Sequence, residues 1–219
     1  QPTVSADGKI LYFSSYREDS RGIDIYSSKR LSDGSWDVAE NLGEPINTEY
    51  NDKSPFMHTD SETLYFSSDG HMGFGKYDVF FARKDNEGNW LEPMNIGSPI
   101  NNEGDQHGFV VSTDGKTVYF GSNLIKEGGK GGYDIISFEL YEAARPEKVV
   151  FLKGNVKDEH GKVAKDASIE MKNVATDNIT SFDVDTVDGS YAAVVTLKKD
   201  QDVIVSVKAQ DKVFNSHYF

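Results

Sequence analysis

The chain has 219 residues, 27% of them charged and 37% hydrophobic, with a formal net charge of −13 and no cysteine. Disulfides, cysteine-based zinc sites and a thiol nucleophile are therefore excluded. So acidic a surface repels nucleic acid and anionic lipid, and no apolar run approaches the roughly 20 residues of a membrane-spanning helix, so no direct membrane insertion is expected.

The chain opens at "QPTVSADGK" without Met, which suggests a processed or excised piece of a longer protein. A short strand leads into the Asp7-Gly8 turn, and "ILYFSS" forms a second strand. After the hairpin "REDSRGID", a third strand, "DIYSSKR", begins at Asp24. The turn "SDGSW" brings in Trp36 and a fourth strand, "WDVAENL", followed by "NLGEPINTE".

The same order then returns. An Asp60-Ser61 turn precedes "TLYFSS"; "GHMGFGKYD" leads to "DVFFARK" at Asp78; Trp90 opens "WLEPMNI", and "NIGSPINNE" follows. A third pass gives Asp114-Gly115, "TVYFGS", "EGGKGGYD" and "DIISFEL" at Asp134. Tyr12, Tyr65 and Tyr119 are 53 and 54 residues apart, and Trp36 and Trp90 are 54 apart. A fixed period near 50 marks propeller blades or a solenoid. The runs rich in Tyr, Phe, Val and Ile between Gly, Asp and Pro turns are strands, and no helical period competes. The prediction is an all-β chain whose residues 1–145 form three four-stranded blades of a partial β-propeller.

"GHMGFGKYD" is one residue short of a phosphate-binding loop, with Tyr77 where Ser or Thr belongs. It precedes a β-rich run, whereas a phosphate loop needs a helix N-terminus. A hairpin whose glycines supply positive φ is the better reading. Asp24, Asp78 and Asp134 recur at one strand entry, where a carboxylate accepts hairpin N–H bonds. A once-per-blade Trp, here Trp36 and Trp90, is expected to pack between blades.

Past Arg145-Pro146 the repeat stops and the aromatics thin out. Residues 149–219 show alternation in "SIEMKN" and "DVIVSVKA" with close Gly turns, which predicts a small β-sandwich. "DVDTVDG", Asp183 to Gly189, has the spaced carboxylates of a calcium loop but neither its spacing nor a closing Glu. A turn beside a solvated strand edge is the simpler reading.

The five histidines show no zinc-helix spacing, there is no "GxSxG" elbow, and no cofactor or metal is implied. One polar patch stands out. "NTEYND" and "NNEGDQHG" precede the first strands of the second and third units, and Asp52, Asp105 and His107 could ring one mouth of a central channel. The alternative is ordinary Asn and Asp turn chemistry.

The strings "SADGKILYFSS", "TDSETLYFSSDGHMGFGKYDVFFA" and "STDGKTVYFGSN" resemble TolB-type, WD-like propeller repeats of bacterial envelope proteins. Gly154, Val156, Asp158, Gly161, Ala167, Ile169 and Asp188-Gly189-Ser190-Tyr191 resemble a carboxypeptidase-regulatory-like domain. That order is similar to OmpA-family proteins of the PorE type in the type IX secretion system. The resemblance implies a periplasmic, outer-membrane-associated, non-catalytic scaffold of a Gram-negative envelope. Its partners would be other protein subunits, with peptidoglycan held by a domain outside these residues. Closed propellers have about 4–8 blades, so blades beyond these three are expected to complete the ring.

Two rivals remain. One is a sialidase-like glycosidase, since "SDGSW" and "DNEGNW" echo Asp-box turns, although Arg17, Arg21, Arg30, Arg83 and Arg145 fall at no repeated position to form a carboxylate grip. The other is a small-ligand or cation sensor at the channel mouth.

Overall fold

In the computed structural model the described residues are all-β apart from one short 3-10 helix at Glu142–Ala144. The structure describes residues 1–123, 131–158, 160–164, 166–174, 177, 179–197, 202–209 and 212–218. Two compact units divide at Glu147 and Lys148.

In the first unit, strands β1 (Pro2–Val4), β2 (Ile10–Ser15), β3 (Asp24–Lys29) and β4 (Glu40–Asn41) form one antiparallel sheet in sequence order. A second repeats it with β5 (Asp52–Met57), β6 (Thr63–Ser68), β7 (Asp78–Arg83) and β8 (Met94–Asn95). The third sheet holds β9 (Gln106–Val111), β10 (Thr117–Ser122) and β11 (Asp134–Glu139). The expected third set of four strands is thus corrected to three among the described residues. Where the first two sheets turn into a bridge at Trp36 or Trp90, the third runs into the 3-10 helix. That segment straps back onto the second sheet. Tyr65 Oη donates to the Ala144 carbonyl at 2.6 Å, and Arg83 donates to the carbonyls of Ala143 and Arg145.

Successive sheets pack through apolar side chains that alternate along the strands. Tyr12, Ile25 and Ile46 of the first sheet meet Met57, Leu64, Phe66 and Phe80 of the second. Tyr65, Val79 and Phe81 of the second meet Phe109, Val111, Val118 and Phe120 of the third. Strand β1 contacts β5, and β5 contacts β9. The one-letter echo is therefore a repeated packing surface: Tyr12 and Tyr65 lie at the same place in consecutive seams. Both first strands that meet a preceding sheet carry a bulge with a left-handed residue, Ser54 at φ 54° and its repeat partner Gly108 at φ 65°. A bulge re-aims the residues beside it.

Trp90 meets the expectation of packing between sheets, with its ring 6.4 Å from Tyr12 in an edge-on pair and Lys84 over its face. Trp36 does not: it is 40% exposed, with Arg30 beside its ring. Trp90 reaches back to the previous sheet, and no described sheet lies behind the first.

The hairpin "GHMGFGKYD" needs glycine for a different reason than positive φ, which Gly70, Gly73 and Gly75 do not show. A Cβ at Gly70 would overlap the Thr48 side chain, at Gly73 the Asp78 carboxylate, and at Gly75 the backbone carbonyls of Asn102 and Gly104. Close approach, not turn handedness, excludes side chains there. Gly75→Ala is accordingly expected to cost about 2 kcal/mol or more, because backbone cannot step aside as a flexible side chain can. Urea unfolding measures this; an unchanged midpoint would show that the hairpin lifts away freely. In the counterpart "EGGKGGYD" residues 127–130 lie outside the described residues, and Gly131 and Gly132 do have the expected positive φ, at 91° and 75°.

In the second unit, β12 (Lys148–Asn155) pairs with β15 (Ser190–Leu197), and β13 (Ser168–Asn173), β14 (Ile179–Asp183), β16 (Val203–Ala209) and β17 (Lys212–Tyr218) form a sheet in the order β14-β13-β16-β17. Val150, Leu152 and Val195 from the first sheet share one apolar cluster with Ile169, Val203 and Val205 from the other. Two of the Asp183–Gly189 carboxylates serve a turn, while Asp183 ends β14: Asp185 Oδ1 accepts the Val187 N–H at 2.7 Å and Asp188 Oδ1 the Ser190 N–H at 2.8 Å.

Candidate functional site

At one end of each repeat sheet the first strand starts, the second ends and the third starts. Ladder register lines up Ser15 with Asp24, then Asp52 with Ser68 and Asp78, then Gln106 with Ser122 and Asp134. Asp78 Oδ2 accepts hairpin N–H bonds from Phe74 and Gly75. Asp24 Oδ2 instead accepts from Asn41 Nδ2 at 2.7 Å. Asp134 opens β11 and is half-buried.

Asp52 is fully buried, and its Oδ2 accepts the Thr48 N–H at 2.6 Å and the Thr48 hydroxyl at 2.9 Å. Burial raises its carboxyl above the usual range, with Ser68 and Thr48 pulling the other way. Asp52 is thus a turn acceptor, not a lining residue of an open mouth, and its place in the expected trio is corrected. The reason is strand alternation. Asp52 faces inward, so the next residue, Lys53, faces outward.

Asp105 and His107 do come together. Asp105 exchanges two hydrogen bonds with Asn123: its N–H donates to Asn123 Oδ1 at 2.8 Å, and its Oδ2 accepts from Asn123 Nδ2 at 3.0 Å. The second sheet makes the same pair with the residue types swapped. Asn51 N–H and Nδ2 donate to the two carboxylate oxygens of Asp69, at 2.7 and 3.0 Å. The exchange keeps one acid and one amide per pair. Asn51→Asp is expected to cost about 1–3 kcal/mol by opposing two carboxylates, and adding Asp69→Asn should recover most of it. A double-mutant cycle in urea reads the coupling; additive losses would show that the two side chains act separately.

His107 belongs to a ridge that the sequence reading missed. Lys53 Nζ lies 3.3 Å from the centre of the Tyr77 ring, Tyr77 is 5.2 Å from the His107 ring, and His107 is 5.4 Å from the Tyr133 ring. Burial lowers the Lys53 ammonium pKa, and burial and then Lys53 lower that of His107. Burial, then Asp69, raises the Tyr77 phenol. Tyr133 is half exposed and places its hydroxyl 3.5 Å from Asp105 Oδ2. His107 Nδ1 and Asp105 Oδ1 are buried and have no hydrogen-bond partner among the described residues. The signal for the ridge was the tyrosine before the repeated aspartate in "GKYD" and "GGYD".

Such a ridge can stack a planar or sugar-like ring and offer a cation and a carboxylate at its edges. An open cleft of about 360 Å³ lies on the same unit, with Glu44, Glu49, Glu92, Tyr50 and His71 among its walls. Among the described residues no three His, Asp or Glu side chains are placed to hold a metal ion. The five arginines are engaged separately. Arg17 covers the Phe13 and Tyr26 rings, Arg21 pairs with Glu49, Arg30 flanks Trp36, and Arg83 and Arg145 bind the strap and Glu139. Asp33 and Asp85 of the Asp-box-like strings accept N–H bonds of their own turns.

No family model and no curated protein matches this sequence. Among solved structures the chain is similar to a mutant puromycin hydrolase complexed with PGG, at 11% identity and a TM-score of 0.32. That match covers 63% of this chain and 26% of the hydrolase, so the chain spans about a quarter of that protein. Proposed 6-phosphogluconolactonases of Bacteroides fragilis and Bacteroides uniformis are also similar, each at 11% identity and a TM-score of 0.32, covering 99% of this chain and 69% and 70% of theirs. At that TM-score these likenesses carry no argument about the fold or chemistry of this chain.

Proposed function

We propose that the first unit is an arc of a TolB-like, WD-like β-propeller, that the second is a carboxypeptidase-regulatory-like β-sandwich, and that the chain is a non-catalytic binding scaffold. The observation that carries this reading is the repeated seam. Each sheet presents its forward face to the rear face of the next, with first strands adjacent, which is how blades are set around an axis. Rigid sheets with variable loops suit docking. The resemblance of the repeats and of the tail extends the proposal to a periplasmic, outer-membrane-associated complex of type IX secretion character. The partners are protein subunits, and peptidoglycan is held by a domain outside these residues.

Crosslinking the full-length protein in envelope membranes, followed by capture and identification of its neighbours, tests this. Outer-membrane or secretion components support it. Recovery of none of them would remove the scaffold reading. A second reading, a small-ligand sensor, draws on the unpaired Asp105 Oδ1 and His107 Nδ1 beside an exposed tyrosine. Calorimetry with calcium and with simple sugars separates it, since a scaffold gives no saturable heat.

A further inference from the structure

The motif shared by "NLGEPIN" and "NIGSPIN" is a clip, and among the described residues the equivalent strand of the third sheet has none. In the first sheet, β4 pairs Asn41 with Tyr26 and Glu40 with Ser27, and the Leu42 N–H donates to the Ile25 carbonyl at 3.0 Å. The chain then folds back through Gly43, and Asn47 closes the clip. Its Oδ1 accepts the Ile25 N–H and its Nδ2 donates to the Ile25 carbonyl, both at 2.9 Å. Asn41 Oδ1 ties the clip together, accepting from Gly43 N–H at 2.8 Å and Asn47 Nδ2 at 2.7 Å.

The second sheet repeats every part. Asn95 and Met94 pair with Phe80 and Phe81, and the Ile96 N–H reaches the Val79 carbonyl at 3.1 Å. Asn101 forks onto the Val79 N–H and carbonyl at 2.8 Å each. In both sheets the clip's aliphatic residues, Ile46, Ile96 and Ile100, are buried in the seam. The strand residue each fork grips, Ile25 or Val79, is wholly buried.

The equivalent strand of the third sheet is β11, and the equivalent residue is Ile135. No fourth strand pairs with β11 among the described residues. Ile135 is 86% exposed, and Tyr119, at the position of the fully buried Tyr65, is 48% exposed. Ile25 and Val79 are covered both by their clips and by the sheet that follows; among the described residues β11 has neither, and its open edge is a vacant seat of known shape for the clip. Open strand edges take extended peptides by adding a strand.

We propose that the outer edge of β11 is a docking groove for an extended segment of the pattern Asn–Leu/Ile–Gly–X–Pro–Ile–Asn. The segment binds as a fourth strand along Ile136 and Ser137, its last asparagine forks onto the Ile135 backbone, and its aliphatic residues pack beside Ile135. The occupant is defined by continuity with two interfaces of identical design. The inference rests on the reading of this chain as a binding module and names one kind of partner for it.

The test uses the 219-residue chain and a fluorescently labelled peptide of the sequence Met-Asn-Ile-Gly-Ser-Pro-Ile-Asn, followed by anisotropy. Saturable binding is expected, at least tenfold weaker when the last Asn of the peptide is Ala. Bound peptide should also slow amide exchange at Ile135 and Ser137. Ile135→Pro deletes the gripped N–H and should abolish binding; should that variant misfold, the peptide substitution still reports on the fork. No saturable binding, or binding indifferent to the asparagine, would overturn the proposal. So would self-association of the chain through β11 that the peptide cannot displace. Failure of the peptide with envelope partners still captured removes this inference alone; capture failing while the peptide binds removes the scaffold reading instead.

Discussion

Tyr65→Ala is expected to lower the stability of the first unit by about 3–5 kcal/mol, the range for deleting a large buried aromatic, and that is a large share of the roughly 5–15 kcal/mol that holds a domain together. Tyr65 is wholly buried where the second sheet, the third sheet and the returning strap meet. Its ring is 5.3 Å from Phe109, 6.1 Å from Phe81 and 6.4 Å from Phe56, and its hydroxyl anchors the Ala144 carbonyl. Burial drives the phenol pKa far above its ordinary value, so the hydroxyl stays a donor at every working pH. Tyr65→Phe keeps the ring and leaves the Ala144 carbonyl without that donor, at about 1–2 kcal/mol. Urea midpoints for the two variants separate packing from anchoring. A Tyr65→Ala loss under 1 kcal/mol would mean that the second and third sheets do not share a core.

The second large effect concerns Asp60. This carboxylate is buried at the turn between β5 and β6. It accepts the N–H groups of Glu62 at 3.0 Å and Thr63 at 2.9 Å, the Thr63 hydroxyl at 2.7 Å, and the Glu147 N–H at 3.0 Å. The last bond ties down the end of the strap. Burial opposes the charge, but the His58 ring and these donors outweigh it and hold the carboxyl below the usual range. Asp60→Asn turns one acceptor into a donor facing other donors, at about 3 kcal/mol near pH 7. Because the folded pKa is depressed, the stabilisation is full above the unfolded value of about 3.9 and is lost as pH falls through the folded value. The gap between wild type and variant therefore narrows in acid. Asp52 behaves oppositely. Its pKa is raised by burial, so its charge opposes folding as pH rises, and Asp52→Asn should leave stability at pH 7 unchanged or higher. A gap for Asp60→Asn that is constant from pH 7 to pH 2 would show that shape and not charge sets its cost.

Much of the first unit was legible because its sequence says the same thing more than once. Strand starts at Asp24, Asp78 and Asp134, and the tight turns at Gly8 and Gly115, follow from local chemistry that any copy obeys. What failed to read through was whatever depends on a neighbour. Trp36 and Trp90 hold the same position in the repeat, yet among the described residues only Trp90 has a sheet behind it. Gly70 and Gly75 looked like turn formers, but the limits on them come from Thr48 and from the 102–104 backbone, which are distant in sequence. The fourth strand of the third sheet was inferred by analogy, where the chain instead turns back along the second.

The polar site divided for the same reason. Asp52 and Asp105 both precede or begin a first strand, but they are not repeat partners. Asp52 matches Gln106, and Asp105 matches Asn51. The two loops "NTEYND" and "NNEGDQHG" place their aspartates one residue apart in the repeat, and in a strand one residue is the difference between buried and exposed faces. The Tyr77–His107–Tyr133 ridge crosses two sheets, so no single stretch of sequence contains it.

The central claim is that the 54-residue echo is one packing interface used again. Lys9, Glu62 and Lys116 are repeat equivalents beside the first turn of each sheet, and a chain without cysteine accepts spin labels only where cysteines are introduced. Pulsed electron–electron distance measurements on labels at Lys9 with Glu62, and at Glu62 with Lys116, are expected to give two narrow distributions with the same mean. Two clearly different means, or a broad distribution for either pair, would contradict it.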